Sequence, residues 1–343
     1  MQLVAYGAQD VYLTGDPQIT YFKVVYRRHT NFSMECIEQT FNGTPGANSK
    51  VSCTVSRNGD LIGAMHIVVP VVGGTTVATD FAGLVSEVEV EIGGQKIDKH
   101  YGQWLDIWYE LTAGSDKPIA SLLQATNGDY QYVPLQFWFN RNVGLALPLI
   151  ALQYHEVKLN ITFGAGADHS IIASAQLWVD YIYLDTEERK RFAQMSHEYL
   201  IDQLQYPGQE NVGTKFRLNF NHPVKELVWS VASASQTDSW KLMLNGHDRF
   251  AMRTADYFTV LQKYYHHTNC DNGGVTENTK DVHVYSFALR PEEHQPSGTC
   301  NFSRIDNATL VADTTTANPV DIYAVNYNVL RVVSGMGGLA YSN

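Results

Sequence analysis

The sequence predicts an all-β protein made of two tandem antiparallel units. Three observations carry this. The commonest hydrophobic period is two, glycine and asparagine turn signals separate the short apolar runs, and one pattern recurs about 150 residues later along the chain.

Composition narrows the function classes. The 343 residues are 44% hydrophobic and only 17% charged, which excludes disordered and coiled-coil proteins. Lys and Arg number 24 against 35 Asp and Glu, a net charge of −11. A chain this acidic lacks the cation surplus for broad nucleic-acid binding, so no specific nucleic acid is expected as a partner. Cys36, Cys53, Cys270 and Cys300 form no CxxC pair, so a zinc ribbon or thioredoxin motif is not expected. The start, MQLVAYGAQD, has no basic segment followed by an apolar one, so no signal peptide is expected, and synthesis would be cytoplasmic.

Taken in order, Lys23–His29 interleaves cations with Val24, Val25 and Tyr26, as an amphipathic strand or a phosphate- or acid-binding segment would. Leu61–Val72 is an apolar strand run, too short for a membrane span. Glu87–Ile92 alternates strictly, with Val88, Val90 and Ile92 on one face and glutamates on the other. Gly93-Gly94 is a turn. Gly102–Leu111 is helical, because Trp104, Leu105, Ile107, Trp108 and Leu111 share one face. Tyr132–Phe139, Glu156–Phe163 and Ala175–Leu184 are strands.

Asp185 precedes Glu188 by three residues, a capping pair for a charged helix over Thr186–Met195. Its acids come first and its bases after, as the helix dipole favours. This helix is read as the connector. The expected division is 1–185, a connector over 186–198, and 199–343. Beyond it, Lys215–Phe220, Val224–Val231, Trp240–Leu244, Val282–Leu289 and Ile322–Val333 are strands, and Thr254–His266 is a helix with Tyr257, Phe258, Leu261 and Tyr264 at helical spacing.

The recurrence is specific. Gly94 and Gly246 close equivalent turns, Trp104 and Tyr257 lie on equivalent helices, and Arg141 and Arg290 end equivalent aromatic runs, with offsets of 152, 153 and 149. Each unit then has about eight strands and one short helix in a loop. Barrels, immunoglobulin-like sandwiches and jelly rolls all use eight strands; two such units in a chain this long most readily give tandem jelly rolls.

No catalytic constellation emerges. GxSxG, HExxH, the P-loop and GxGxxG are all missing. Ser334–Gly338 is read as a tight turn, His266–Cys270 as too narrow a set for a metal, and Glu292-Glu293-His294 as a rigid exposed loop. No catalytic residue, cofactor or metal is therefore expected, and the protein is not expected to be an enzyme. With 20 Tyr, 14 Phe and 6 Trp, some aromatics are candidates for subunit contacts.

Several segments resemble the major capsid proteins of nucleocytoplasmic large DNA viruses, the phycodnavirus, iridovirus and mimivirus-like group. They are Tyr6–Lys23 (YGAQDVYLTGDPQITYFK), Val24–Phe32 (VVYRRHTNF), Thr186–Phe192 with Ser196–Ile201, Arg290–Gly298 with Cys300–Asp306, and Tyr327–Arg331 with Ser334–Tyr341. They run from end to end in the family's order, although many relatives are longer in their surface loops.

The resemblance implies a double jelly roll, a virion location, and homotrimeric, pseudo-hexagonal capsomers tiling an icosahedral shell. The implied partners are the protein itself, neighbouring capsomers, minor capsid and penton proteins, and an inner lipid membrane nearby. Candidate inter-subunit contacts are Tyr21, Phe22, Arg27 and Arg28 in the N-terminal arm and Arg290, Glu292, Glu293, His294 and Arg304 in the 290–306 loop. The alternatives are a minor capsid protein or a lectin-like sandwich.

Overall fold

The computed structural model describes residues 7–70, 80–113, 130–165, 172–232, 239–269, 280–316 and 318–341. Val71, Val72, the Gly73-Gly74 turn and Cys270 lie outside these residues.

In the first half the strands are β1 (Phe32–Gln39), β2 (Lys50–Thr54), β3 (Leu61–Pro70), β4 (Val85–Ile92), β5 (Gln95–Tyr101), β6 (Tyr130–Pro134), β7 (Leu147–Pro148), β8 (Val157–Phe163) and β9 (Gln176–Leu184). They form two sheets, β1-β9-β3-β6, with β7 beside β3, and β2-β8-β4-β5. The alternating valines of β4 are buried and its glutamates half-exposed. The outer face of this second sheet is a polar ladder: Asn160 donates to Glu89 and Glu91, and Thr162 donates to Glu87.

In the second half the strands are β10 (His197–Gln205), β11 (Gln209–Glu210), β12 (Lys215–Arg217), β13 (Pro223–Ala232), β14 (Trp240–Leu244), β15 (His247–Asp248), β16 (Lys280–Ser286), β17 (Cys300–Asn301), β18 (Ala308–Ala312), β19 (Val320–Val333) and β20 (Met336–Leu339). Their sheets are β10-β19-β13-β16, flanked by the short β11, β17 and β20, and β12-β18-β14-β15.

Without the short flanking strands, each half has eight strands. Counted within its half, the order is 1-8-3-6 in one sheet and 2-7-4-5 in the other, both times. This is the jelly-roll order, and it explains the sequence recurrence. The equivalent hairpins even share a turn type. Gly93-Gly94 joins β4 to β5 with φ +59° and +85°, and Asn245-Gly246 joins β14 to β15 with φ +51° and +79°. Two successive positive φ values define the two-residue turn whose twist matches paired strands. Ser334-Gly335 makes a third such turn and returns the chain along β20.

Each pair of sheets encloses apolar side chains, with Ile62, Val88, Val90, Leu159 and Leu177 in the first core and Leu227, Trp229, Trp240, Leu310 and Ile322 in the second. The first core also takes in Ile201, Leu330 and Val332 from the second half. The C-terminal hairpin is tied to the same place: Tyr154 N donates to the Gly335 carbonyl, and His155 Nδ1 lies 2.9 Å from the Gly337 carbonyl.

The Thr186–Gln194 helix joins the halves as expected. Asp185 Oδ1 accepts from Glu188 N at 2.9 Å, and no helix residue is buried. Two expectations need correction. The run Phe137–Arg141 does not continue a strand; Trp138–Arg141 is a helical turn that follows β6 and buries Trp138 and Phe139. The Lys23–His29 segment is irregular rather than a strand.

Candidate assembly surfaces

A third apolar cluster lies between the halves. The Gly102–Thr112 helix buries the whole predicted set, but on two sides. Leu105 enters the first core, whereas Trp104, Ile107, Trp108 and Leu111 pack on Val228, Val282, Val284, Tyr323 and Val325. Those five belong to β13, β16 and β19, on the face turned away from the second core. The sheet is thus buried on both sides, which is why nine successive residues of β19 are buried and its sequence does not alternate.

Charged groups line the same junction. Asp202 Oδ2 takes both the Lys225 ammonium at 3.0 Å and the Arg141 guanidinium at 3.1 Å. The Lys225 side chain is 0% exposed. Burial pulls its ammonium below the usual lysine range, and the Asp202 carboxylate opposes that shift. Arg141 also stacks over Trp108, 4.7 Å from the ring centre. Beside this group, buried His267 has Glu226 3.1 Å from Nε2 and Glu292 2.9 Å from Nδ1. Burial alone would lower the His267 pKa, but Glu226 and then Glu292 outweigh it and raise it to about 9.

Glu292 is therefore turned inward. It also accepts from Thr268 N at 2.9 Å and from the Thr268 hydroxyl, so the loop is pinned to the end of the Gln262–His266 helix. Glu293 is exposed and meets exposed Arg290 at 2.8 Å. Arg304 is exposed and His294 half-buried.

The N-terminal arm contrasts with all of this. Every residue from Gly7 to Asn31 except Asp10 is exposed, including Arg27 and Arg28. Tyr21 is 91% and Phe22 99% exposed, and Val11, Tyr12, Leu13, Ile19, Val24, Val25 and Tyr26 are exposed with them. Among the described residues, the arm's hydrogen bonds stay within the arm, as in Gly7 N to Asp10 and the Thr14 hydroxyl to the Asp10 carbonyl. So dense an exposed apolar segment has the character of an interaction element.

Two further exposed apolar patches escaped the sequence reading. Val260, Leu261, Tyr264 and Tyr265 lie on the second-half helix. Tyr130, Tyr132, Met34 and the half-buried Trp178 and His66 lie on the outer face of β1-β9-β3-β6. Period alone cannot separate a face buried in a core from one held for a partner. At the helix, the chain passes through a π-helical turn over Tyr257–Leu261. The outcome is that Phe258 is buried while Leu261 and Tyr264 point outward, and Thr259, Gln262 and Lys263 are buried in place of the predicted pair.

Among the described residues, no group of three or more His, Cys, Asp or Glu could hold a metal ion. None of the described helices is long and apolar enough to cross a membrane.

Residues 20–185 match the family model "Major capsid protein N-terminus". Residues 188–241 and 232–338 match "Large eukaryotic DNA virus major capsid protein". The major capsid protein of Pyramimonas orientalis virus is 56% identical, covering 100% of this chain and 99% of that protein. The major capsid protein of Paramecium bursaria Chlorella virus 1 is 45% identical over the same shares. Those alignments span 391 and 441 positions against 343 residues here, so both relatives carry insertions. Among solved structures, a chain of the quasi-atomic model of the PBCV-1 capsid superposes with a TM-score of 0.80 at 40% identity, covering 94% of this chain and 100% of that one. The Faustovirus major capsid protein, 11% identical, shares the fold with a TM-score of 0.70.

Proposed function

Because this chain belongs to the major capsid proteins of large eukaryotic DNA viruses, structural proteins of the virion with a double jelly-roll fold, we propose that it assembles as a homotrimer. The trimer is a pseudo-hexagonal capsomer, and capsomers tile an icosahedral shell. The observation that carries this reading is the repeated strand order of the two halves. Three chains of two like lobes present six lobes, so a threefold oligomer fills a sixfold lattice position.

The chain divides at 1–185 and 199–343, with 186–198 as connector. The exposed arm, with Tyr21, Phe22, Arg27 and Arg28, reaches a neighbouring subunit. Arg290, Glu293, His294 and Arg304 form the outer part of a second contact, while Glu292 supports that loop from within. Minor capsid proteins cement the capsomers, penton proteins fill the vertices, and a lipid membrane lies inside the shell. The chain is made in the host cytoplasm and reads no specific nucleic acid. Each interface between protomers buries about 2,000 Å² or more, the obligate class, whereas contacts between capsomers are weaker and act by multiplicity.

Light scattering on the purified chain tests the capsomer. Three chains of 38.4 kDa give about 115 kDa; a stable 38.4 kDa monomer at micromolar concentration would refute the trimer. Electron microscopy of concentrated protein tests the tiling, for which hexagonal plates or shells are expected.

A further inference from the structure

The two halves share one topology, yet their surroundings differ. The Gly102–Thr112 helix gives one face to its own core and the other to the outer face of the next sandwich. Its counterpart, 153 positions on, does only the first of these. Phe258, the equivalent of Leu105, enters the second core. The equivalents of Ile107, Trp108 and Leu111 are Val260, Leu261 and Tyr264, and they stand 44%, 39% and 68% exposed. The sheets differ in the same way. The outer face of β10-β19-β13-β16 is covered by the first helix. The corresponding face of β1-β9-β3-β6 presents Trp178, His66 and Tyr132, with the last two rings 6.2 Å apart and Tyr132 40% exposed. One chain thus has one helix-on-sheet junction satisfied, and one helix face and the part of a sheet face around His66, Tyr132 and Trp178 left exposed, the Leu61 and Ile182 end of that face being covered by Ala146 and Phe192.

We propose that Val260, Leu261 and Tyr264 of one copy pack on the outer face of the β1-β9-β3-β6 sheet of a second copy. This repeats between chains the junction that Ile107, Trp108 and Leu111 make within one. The inference rests on the capsomer reading and supplies its interface. The occupant is a second copy because the surface left over on each copy is the counterpart of the surface left over on the other. A helix of one kind meeting a sheet of another kind is a head-to-tail contact, which forms a closed ring if the rotation divides a full turn. Six lobes related by steps of about 60° satisfy this.

The position of the rotation axis agrees. Glu110 and Lys263 also stand 153 positions apart, and they touch within one chain at 3.0 Å. Equivalent points of two lobes can touch only near the axis relating the lobes. Both helices therefore lie close to that axis, where the corresponding helices of the other copies gather.

The test uses the full-length protein with two measurements. Oxidative labelling followed by mass spectrometry reads the exposure of Tyr264, Tyr132 and Trp178 in the unmodified oligomer, where protection is expected. Light scattering then compares Leu261→Asp, Tyr264→Asp and Tyr132→Asp with the control Val143→Asp, whose site is exposed elsewhere. The three test variants should fall threefold in mass at micromolar concentration with unchanged far-UV circular dichroism, and the control should stay trimeric. A wild-type trimer in which the three aromatics label as freely as in denatured protein, or which survives all three substitutions, overturns this interface and leaves the capsomer reading standing. A monomeric wild type overturns both.

Discussion

Glu110 and Lys263 meet at 3.0 Å, joining two helices that hold the same place in the two sandwiches. The Lys263 side chain is 2% exposed and that of Glu110 28%. The pair is fixed at the seam by a second link, Asn269 Nδ2 donating to the Glu110 carbonyl at 2.9 Å.

Removing the carboxylate should therefore cost more than removing the amine. Glu110→Ala leaves a buried ammonium without the carboxylate facing it and is expected to destabilise by about 1–3 kcal/mol, discounted for the partial exposure of Glu110. Lys263→Met removes the charge and keeps the stem, and should cost less than about 1.5 kcal/mol. Urea unfolding of both variants checks the order, and equal or reversed losses would disprove it.

Asp202 is the more critical carboxylate, because it faces two cations at once. Asp202→Asn should cost about 3–5 kcal/mol, since Lys225 and Arg141 are then left facing each other across a neutral amide in a buried site. Restoring neutrality with Lys225→Met in the Asp202→Asn background should recover part of that loss. A double-mutant cycle that finds strictly additive losses would show that the two groups do not interact.

His267 makes stability fall on the alkaline side. Its folded pKa of about 9 lies above the unfolded value of about 6.5, so its contribution is complete below pH 6.5 and is lost as pH rises through 9. The expected loss between pH 6.5 and 9.5 is about 2–3 kcal/mol in the wild type and near zero in His267→Gln. Parallel pH profiles for the two proteins would exclude the imidazolium as the cause.

The equivalent hairpins should respond unequally to alanine. At Gly246, with φ +79°, an added Cβ meets nothing within 4 Å, so the cost is the backbone strain alone, about 1–2 kcal/mol. At Gly93, with φ +59°, it would sit 2.3 Å from the His155 ring, which is itself bonded to Gly337. Gly93→Ala should therefore lower the melting temperature clearly more than Gly246→Ala, and scanning calorimetry would show a similar loss for both if the ring can move away freely.

The strands that alternate, β4 and β8, were legible because each has one wet face and one dry face. The recurrence was legible because equivalent hairpins need the same positive-φ residues. The first strands of the halves, β1 and β10, were not, since β1 is exposed on nearly every residue and β10 mixes polar and apolar side chains without a period. The short run Phe137–Arg141 read as a strand because aromatic side chains suit either conformation when a segment is this brief. Of the candidate contacts, the arm residues are exposed as an interface requires, but Glu292 belongs to a buried ion cluster whose partner Glu226 is 66 positions earlier in the chain. Pairings of that kind are set by sheet topology, and spacing along the sequence carries no trace of them. The outward-facing Leu261 and Tyr264 were visible as an apolar stripe; only the fold shows that the stripe is exposed.

Leu330, Val332 and the hairpin that follows them bear on how the protein folds. They complete the interior of the sandwich that is translated first. In any partly folded state in which β19 and β20 are not yet docked, that sandwich lacks part of its filling, and Tyr154 and His155 lack their hairpin partners. The first sandwich is therefore not a self-sufficient folding unit: its interior closes only when strands of the second half arrive.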